Sequence, residues 1–192
     1  MPSPSSKSKN NVAKPVATAS AYADIRSIDF RNFDYPKIPG WMDTEIHLRN
    51  GVHKNLFPDE IDGTESFPGG EADLDQVIYG YNEHGQPIAF VVVAVNSGGT
   101  MWVSEIFLYG LVDHKPELLW SFESGDRADG GLRTLYFQSG SGNWVLELYD
   151  EGAKDPLCCG SHFDRRFYNW RGGKLVELGR QAWIPVPKQP NR

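Results

Sequence analysis

The densest set of chemically capable side chains is the run Ser124-Gly125-Asp126-Arg127-Ala128-Asp129-Gly130-Gly131-Leu132-Arg133, in which carboxylates and guanidiniums alternate among glycines. Asp126 and Asp129 can divide general acid and base work only if the fold gives them different environments. A hydrolase built on them would draw in His162 as a third group. Glycine amides left open in such a run can also cradle an anion. A purely structural use fits the same residues, with Asp126 or Asp129 accepting turn amides while Arg127 or Arg133 pairs with a carboxylate. The residue types leave these readings open.

The second run of interest carries both cysteines, adjacent at Cys158-Cys159. Neighbouring Cα atoms lie about 3.8 Å apart, below the usual disulfide range of about 4.4–6.8 Å. A bridge between them is therefore strained and easily reduced, which suits a redox role or a loop clamp. Two packed thiols are the competing reading. A metal site from Cys158, Cys159 and His162, with Asp155 or Asp164, lacks the gap that lets two thiolates grip one zinc, so no metal is expected. Asp73-Leu74-Asp75 followed by Asn82-Glu83-His84-Gly85 does not meet a calcium-loop pattern and reads as a turn. No nucleophile elbow, phosphate loop or dinucleotide fingerprint occurs, so no cofactor is expected and a non-enzymatic role is favoured.

The elements that must position these runs are strands. Thr44–Arg49 alternates and meets Asn50-Gly51, a two-residue hairpin signal, with Val52–Phe57 as the return. A long polar loop spans Pro58–Gly70. Further strands are expected at Gln76–Tyr81, Pro87–Val95, Trp102–Tyr109, Leu118–Phe122, Arg133–Gln138, Trp144–Tyr149, Phe163–Trp170 and Lys174–Leu178. Pro87–Val95 is apolar on both faces and reads as a central strand covered on both sides. Asp24–Tyr35 fits a short helix or an edge strand. The expected class is mainly β, an antiparallel meander forming a sandwich or a partly open barrel, with little helix. Strand aromatics such as Trp102, Trp120, Trp144, Trp170, Tyr109, Tyr136, Phe137 and Tyr149 are expected to fill the core. An exposed row of them would be a sugar- or peptide-binding platform instead.

Domain organisation follows from composition. Residues 1–22 are Ser, Lys, Asn, Pro and Ala, too poor in bulky apolar groups to offset the entropy of ordering, and are expected to form a disordered arm. Residues 23–183 form one β domain, and 184–192 an extended tail with Pro185, Pro187 and Pro190. A chain of 192 residues with 40% hydrophobic content has ample core material. Its net charge of −6 argues against nucleic acid as a partner. Arg165, Arg166, Arg171 and Lys174 are read as a solvated face. No window suits a transmembrane span, and the first residues lack the apolar core of a signal peptide.

Asp29-Phe30-Arg31-Asn32-Phe33-Asp34-Tyr35-Pro36, the Leu119-Trp120-Ser121-Phe122 strand running into Gly125–Leu132, and Cys158-Cys159 before Phe167-Tyr168-Asn169-Trp170 together give the chain a family likeness over residues 28–178. It resembles a broad group of bacterial exported proteins related to the LppP/LprE-type lipoproteins. The resemblance implies an extracytoplasmic setting, periplasmic or secreted, and an oxidised cysteine pair would suit it. It implies no enzymatic activity. The leading expectation is thus an exported, non-enzymatic β domain that binds an envelope ligand or protein partner. A hydrolase using Asp126 and Asp129, or a redox-sensitive domain using Cys158 and Cys159, are the alternatives.

Overall fold

The computed structural model describes residues 23–40, 44–57, 69–126, 130–150 and 160–187. Arg127, Asp129, Cys158, Cys159, most of the polar loop after Phe57 and the N-terminal arm lie outside these residues. The chain builds two antiparallel meanders. The first holds β3 (Val52–Phe57), β4 (Gly69–Tyr81), β5 (Pro87–Asn96), β6 (Trp102–Val112) and β7 (Lys115–Glu123), hydrogen-bonded in that order. The second holds β8 (Leu132–Gln138), β9 (Asn143–Tyr149), β10 (His162–Arg171) and β11 (Lys174–Pro185), also in chain order. A two-stranded ribbon of β1 (Asp34–Tyr35) and β2 (Ile46–His47) completes the set. The sheets remain separate, so the arrangement is a sandwich and not a closed barrel.

Local chemistry explains the tight turns. Asp113 and His114 both take left-handed φ, 49° and 60°, and Gly172-Gly173 do the same between β10 and β11 at 59° and 74°. Paired positive φ matches the twist of two-residue hairpins. Between β4 and β5, the Asn82 side-chain oxygen accepts the amides of His84 and Gln86, both at 2.9 Å.

The central strand β5 is apolar on both faces because both are covered. Ala89, Val91, Val93 and Val95 pack with Phe107 and Tyr109 beneath an N-terminal layer of Ile25, Ile28, Phe30, Tyr35, Ile38, Ile46 and Leu48. Ile88, Phe90 and Val92 pack with Ile106 and Leu108 against Leu135, Trp144, Leu146 and Leu148 of the second sheet. Each fully buried side chain of this size contributes about 1.5–3 kcal/mol. Close approach between the sheets requires Gly80, because a Cβ there would collide with the Trp144 and Phe137 rings.

Several elements differ from the sequence expectation. Asp24–Tyr35 is neither a single helix nor a strand but two 3-10 turns, Ile25–Ser27 and Phe30–Asn32, followed by β1. Their N-caps are Asp24 and Asp29, whose carboxylates accept the amides of Arg26 and Arg31 at 2.8 and 3.1 Å. The Asn50-Gly51 turn forms, with φ of 56° and 89°. Beyond the Arg49–Val52 bridge, however, its two arms part, β2 pairing with β1 and β3 with β4. Strand β4 starts at Gly69, well before Gln76, and β11 continues past Leu178 to Pro185. That extension is possible because β11 is an edge strand, where prolines leave no ladder partner unsatisfied.

Candidate functional site

The bases of the two chemically rich loops meet at one end of the second sheet. Gly125 bridges Gly131, and the Gly131 carbonyl accepts the Tyr149 amide at 2.9 Å. The Asp150 amide donates to the His162 carbonyl at 3.1 Å, and the Val186 amide to that of Ser161 at 2.8 Å. Asp126 and Arg133 are described and stand at this end. Arg127, Asp129, Cys158 and Cys159 lie outside the described residues.

Strand alternation then sorts the charged residues by face. Leu146 and Leu148 of β9 point into the sandwich, so Glu147 between them points outward. Glu147 is 2% exposed. Its carboxylate bonds Arg133 and, at 2.7 Å, the Nε of Arg165. The Arg133 guanidinium also lies over the buried Phe163 ring, 4.2 Å from its centroid. Two cations on one buried carboxylate offset its desolvation. Arg133 thus anchors the loop where it enters β8, the structural role that residue could play by sequence.

On the opposite face of β10, His162, Asp164 and Arg166 follow one another at every second residue. Opposite Asp164, β11 carries two residues, Ala182 and Trp183, between the Gln181–Arg165 and Ile184–Phe163 partners, which is a β-bulge. Asp164, 3% exposed, fastens it. One carboxylate oxygen accepts the Trp183 amide at 3.2 Å, and the other accepts the Arg180 guanidinium. Trp183 consequently holds a left-handed φ of 56°, a conformation that costs a bulky residue about 1–3 kcal/mol. Trp183 is 56% exposed. It packs on the His162 ring with centroids 4.6 Å apart.

Asp164, Arg166 and Arg180 line a polar cleft of about 170 Å³ with Gly130, Leu148, Tyr149 and Asp150. The Arg166 Nε is buried there and has no hydrogen-bond acceptor among the described residues. A guanidinium has donors only, and this one also hydrogen-bonds the side chain of Tyr168, so Nε is the donor it leaves toward the cleft.

A larger cleft of about 500 Å³ opens at the other end of the sandwich, over Ile88, Leu111, Leu119 and Trp170 with Asn82 and Gln86. There the two amides are spent on one another, the Asn82 side chain donating to that of Gln86 at 2.9 Å. Elsewhere, the fully buried Glu105 of β6 stands opposite Glu123 of β7 on the face under the N-terminal layer. Neither of these acids is without a partner. Among the described residues, no three His, Cys, Asp or Glu side chains group as metal ligands, and no helix is long and apolar enough to cross a membrane.

The side chains that pack at this end differ from those the sequence singled out. Arg165 and Arg166 are not a solvated basic face; they are half-buried, Arg165 against Glu147 and Arg166 in the cleft. Glu147 was signalled by a lone carboxylate inside Trp144-Val145-Leu146-Glu147-Leu148, an otherwise apolar strand. Trp183 gave no comparable signal, since its exposure depends on the bulge. Trp144, Trp170 and Tyr109 are core residues as expected, whereas Trp102 and Tyr136 are exposed. Comparison of the chain with protein-family models, curated proteins and solved structures returned no match.

Proposed function

We propose that this protein is a non-catalytic binding module, working outside the cytoplasm at a bacterial envelope, that takes an anionic group at the loop-bearing end of its second sheet. One observation carries the reading: Arg166 lines the cleft and its buried Nε has no acceptor among the described residues. An anionic oxygen is the best partner for such a donor, because charge-assisted hydrogen bonds are about twice as strong as neutral ones. The side chains around the cleft support binding more than turnover, since Asp164 is committed to the Trp183 amide and Arg180. The extracytoplasmic setting rests on the resemblance described for residues 28–178.

Isothermal titration with inorganic phosphate tests the proposal. Saturable binding is expected, at least tenfold weaker in Arg166→Gln and unchanged in Arg171→Gln, which alters an exposed arginine at the far end of β10. Absence of binding to the parent protein, or equal affinity in parent and Arg166→Gln, would overturn it.

A further inference from the structure

We infer that the free edge of β8 is a self-association surface, on which a second copy of this chain adds its own β8 antiparallel to the first. The inference is independent of the anion site. Among the described residues, the two larger sheets end on β3 and β7 in the first and on β8 and β11 in the second. An exposed edge offers unpaired backbone N–H and C=O groups to any passing strand, and sheet proteins blunt such edges with charges, prolines and bulges. All but one of these edges are blunted. Edge β3 is broken by an irregularity between Lys54 and Phe57, where Asn55 takes a left-handed φ of 55°. Edge β7 carries Lys115, Pro116 and Glu117, and its pairing with β6 is irregular at Leu108–Tyr109. Edge β11 carries Glu177 and Arg180, ends on Pro185 and has two irregularities against β10.

Strand β8 has none of these devices over Thr134-Leu135-Tyr136-Phe137-Gln138. Its irregularity lies before Thr134, and from there to Gln138 it runs in register on β9. Its one charged residue, Arg133, is spent on the buried Glu147. The segment is also complementary to itself. Antiparallel pairing about Tyr136 sets Leu135 against Phe137, Thr134 against Gln138 and Tyr136 against its own copy, so apolar meets apolar and polar meets polar. Leu135 and Phe137 belong to the sandwich interior, so this register continues one core into the next. A slip of one residue would point the two interiors to opposite sides of the sheet. Tyr136, 37% exposed on the single chain, is covered by its counterpart. The net charge of −6 opposes association, but none of it lies on Thr134–Gln138, so repulsion is not focused at the contact. The first sheet leaves room as well. Strand β3 pairs with β4 only between Gly69 and Asp73, so the stretch near Gly80, which packs on the Phe137 ring of β8, has no strand partner on that side among the described residues. The second sheet then runs from β11 of one copy to β11 of the other, closed by a twofold axis.

Sedimentation velocity of the full chain across a dilution series tests the inference. A reversible dimer is expected, with twice the 21.5 kDa mass of one chain. Tyr136→Lys sets two like charges opposite one another at the axis and is expected to raise the dimer dissociation constant at least tenfold. Val112→Lys, which adds the same charge at an exposed apolar residue of β6, is expected to leave it within twofold. Circular dichroism of both variants confirms that the sheets are intact. Amide hydrogen exchange of the parent then locates the contact, since protection over Leu135–Gln138 is expected to fall on dilution while that of β9 stays unchanged. A parent that remains monomeric at every concentration, or a dimer as strong in Tyr136→Lys as in the parent, would overturn the inference. So would a dimer whose β8 exchange does not change on dilution. None of these results bears on phosphate binding at Arg166.

Discussion

Asp164 accepts the backbone N–H of Trp183 at 3.2 Å across a bulge in the edge strand. Its other oxygen takes Arg180, so one nearly buried carboxylate fixes both the bulge and one wall of the cleft. Asp164→Asn keeps an oxygen for the Trp183 amide but loses the charged partner of Arg180. Charge-assisted bonds of this type are worth about 1.5–3 kcal/mol, and about 2 kcal/mol of stability is expected to be lost. Urea unfolding should show a lower midpoint with an unchanged slope.

Glu147 is buried under two half-exposed arginines, Arg133 and Arg165. Breaking a buried ion pair costs about 3–5 kcal/mol. Because both arginines reach solvent, Glu147→Gln is expected at the low end, about 3 kcal/mol. A double-mutant cycle with Arg133→Ala should return a coupling of at least about 0.5 kcal/mol. Additive effects would show that the contact carries no energy.

Gly80 lets β4 approach the second sheet, and a Cβ added there meets the Trp144 and Phe137 rings. Gly80→Ala is expected to destabilise by about 2 kcal/mol, within the usual range of about 1–3 kcal/mol for overpacking. Thermal unfolding followed by near-ultraviolet circular dichroism reads this directly through Trp144.

Burial under the N-terminal layer holds the phenols of Tyr35 and Tyr109 well above their ordinary value of 10.0. Both are protonated in the folded state when the unfolded chain would begin to ionise. Stability is therefore insensitive to these groups below about pH 10 and falls above it, by about 1.4 kcal/mol per pH unit for each tyrosine, until the folded phenols themselves titrate. Tyr109→Phe should make the alkaline decline of unfolding free energy shallower.

The fold was largely legible because its signals are local. The two-sided apolar run beginning at Pro87 identified the centre of the larger sheet, and Asn50-Gly51 and Gly172-Gly173 marked their turns by their tolerance of positive φ. The candidate site was legible only in part. Gly125 and Gly131 mark the base of a loop that the sequence singled out, whereas Asp164, Arg180 and Trp183 come together through an irregularity in the β10–β11 pairing. A bulge shifts the side-chain alternation by one residue, so no period-2 reading could assign Trp183 to solvent. Arg166 was misassigned for a related reason. Its charge suggested water, while its register beside Leu146 turned it inward.

The anion site is tested most directly by following arginine Nε–H signals in a two-dimensional proton–nitrogen NMR spectrum while inorganic phosphate is added. The Arg166 signal, assigned by its loss in Arg166→Gln, is predicted to move saturably to a hydrogen-bonded position while that of Arg171 stays still. An Arg166 signal that does not move, or one that drifts linearly together with Arg171, would contradict the account.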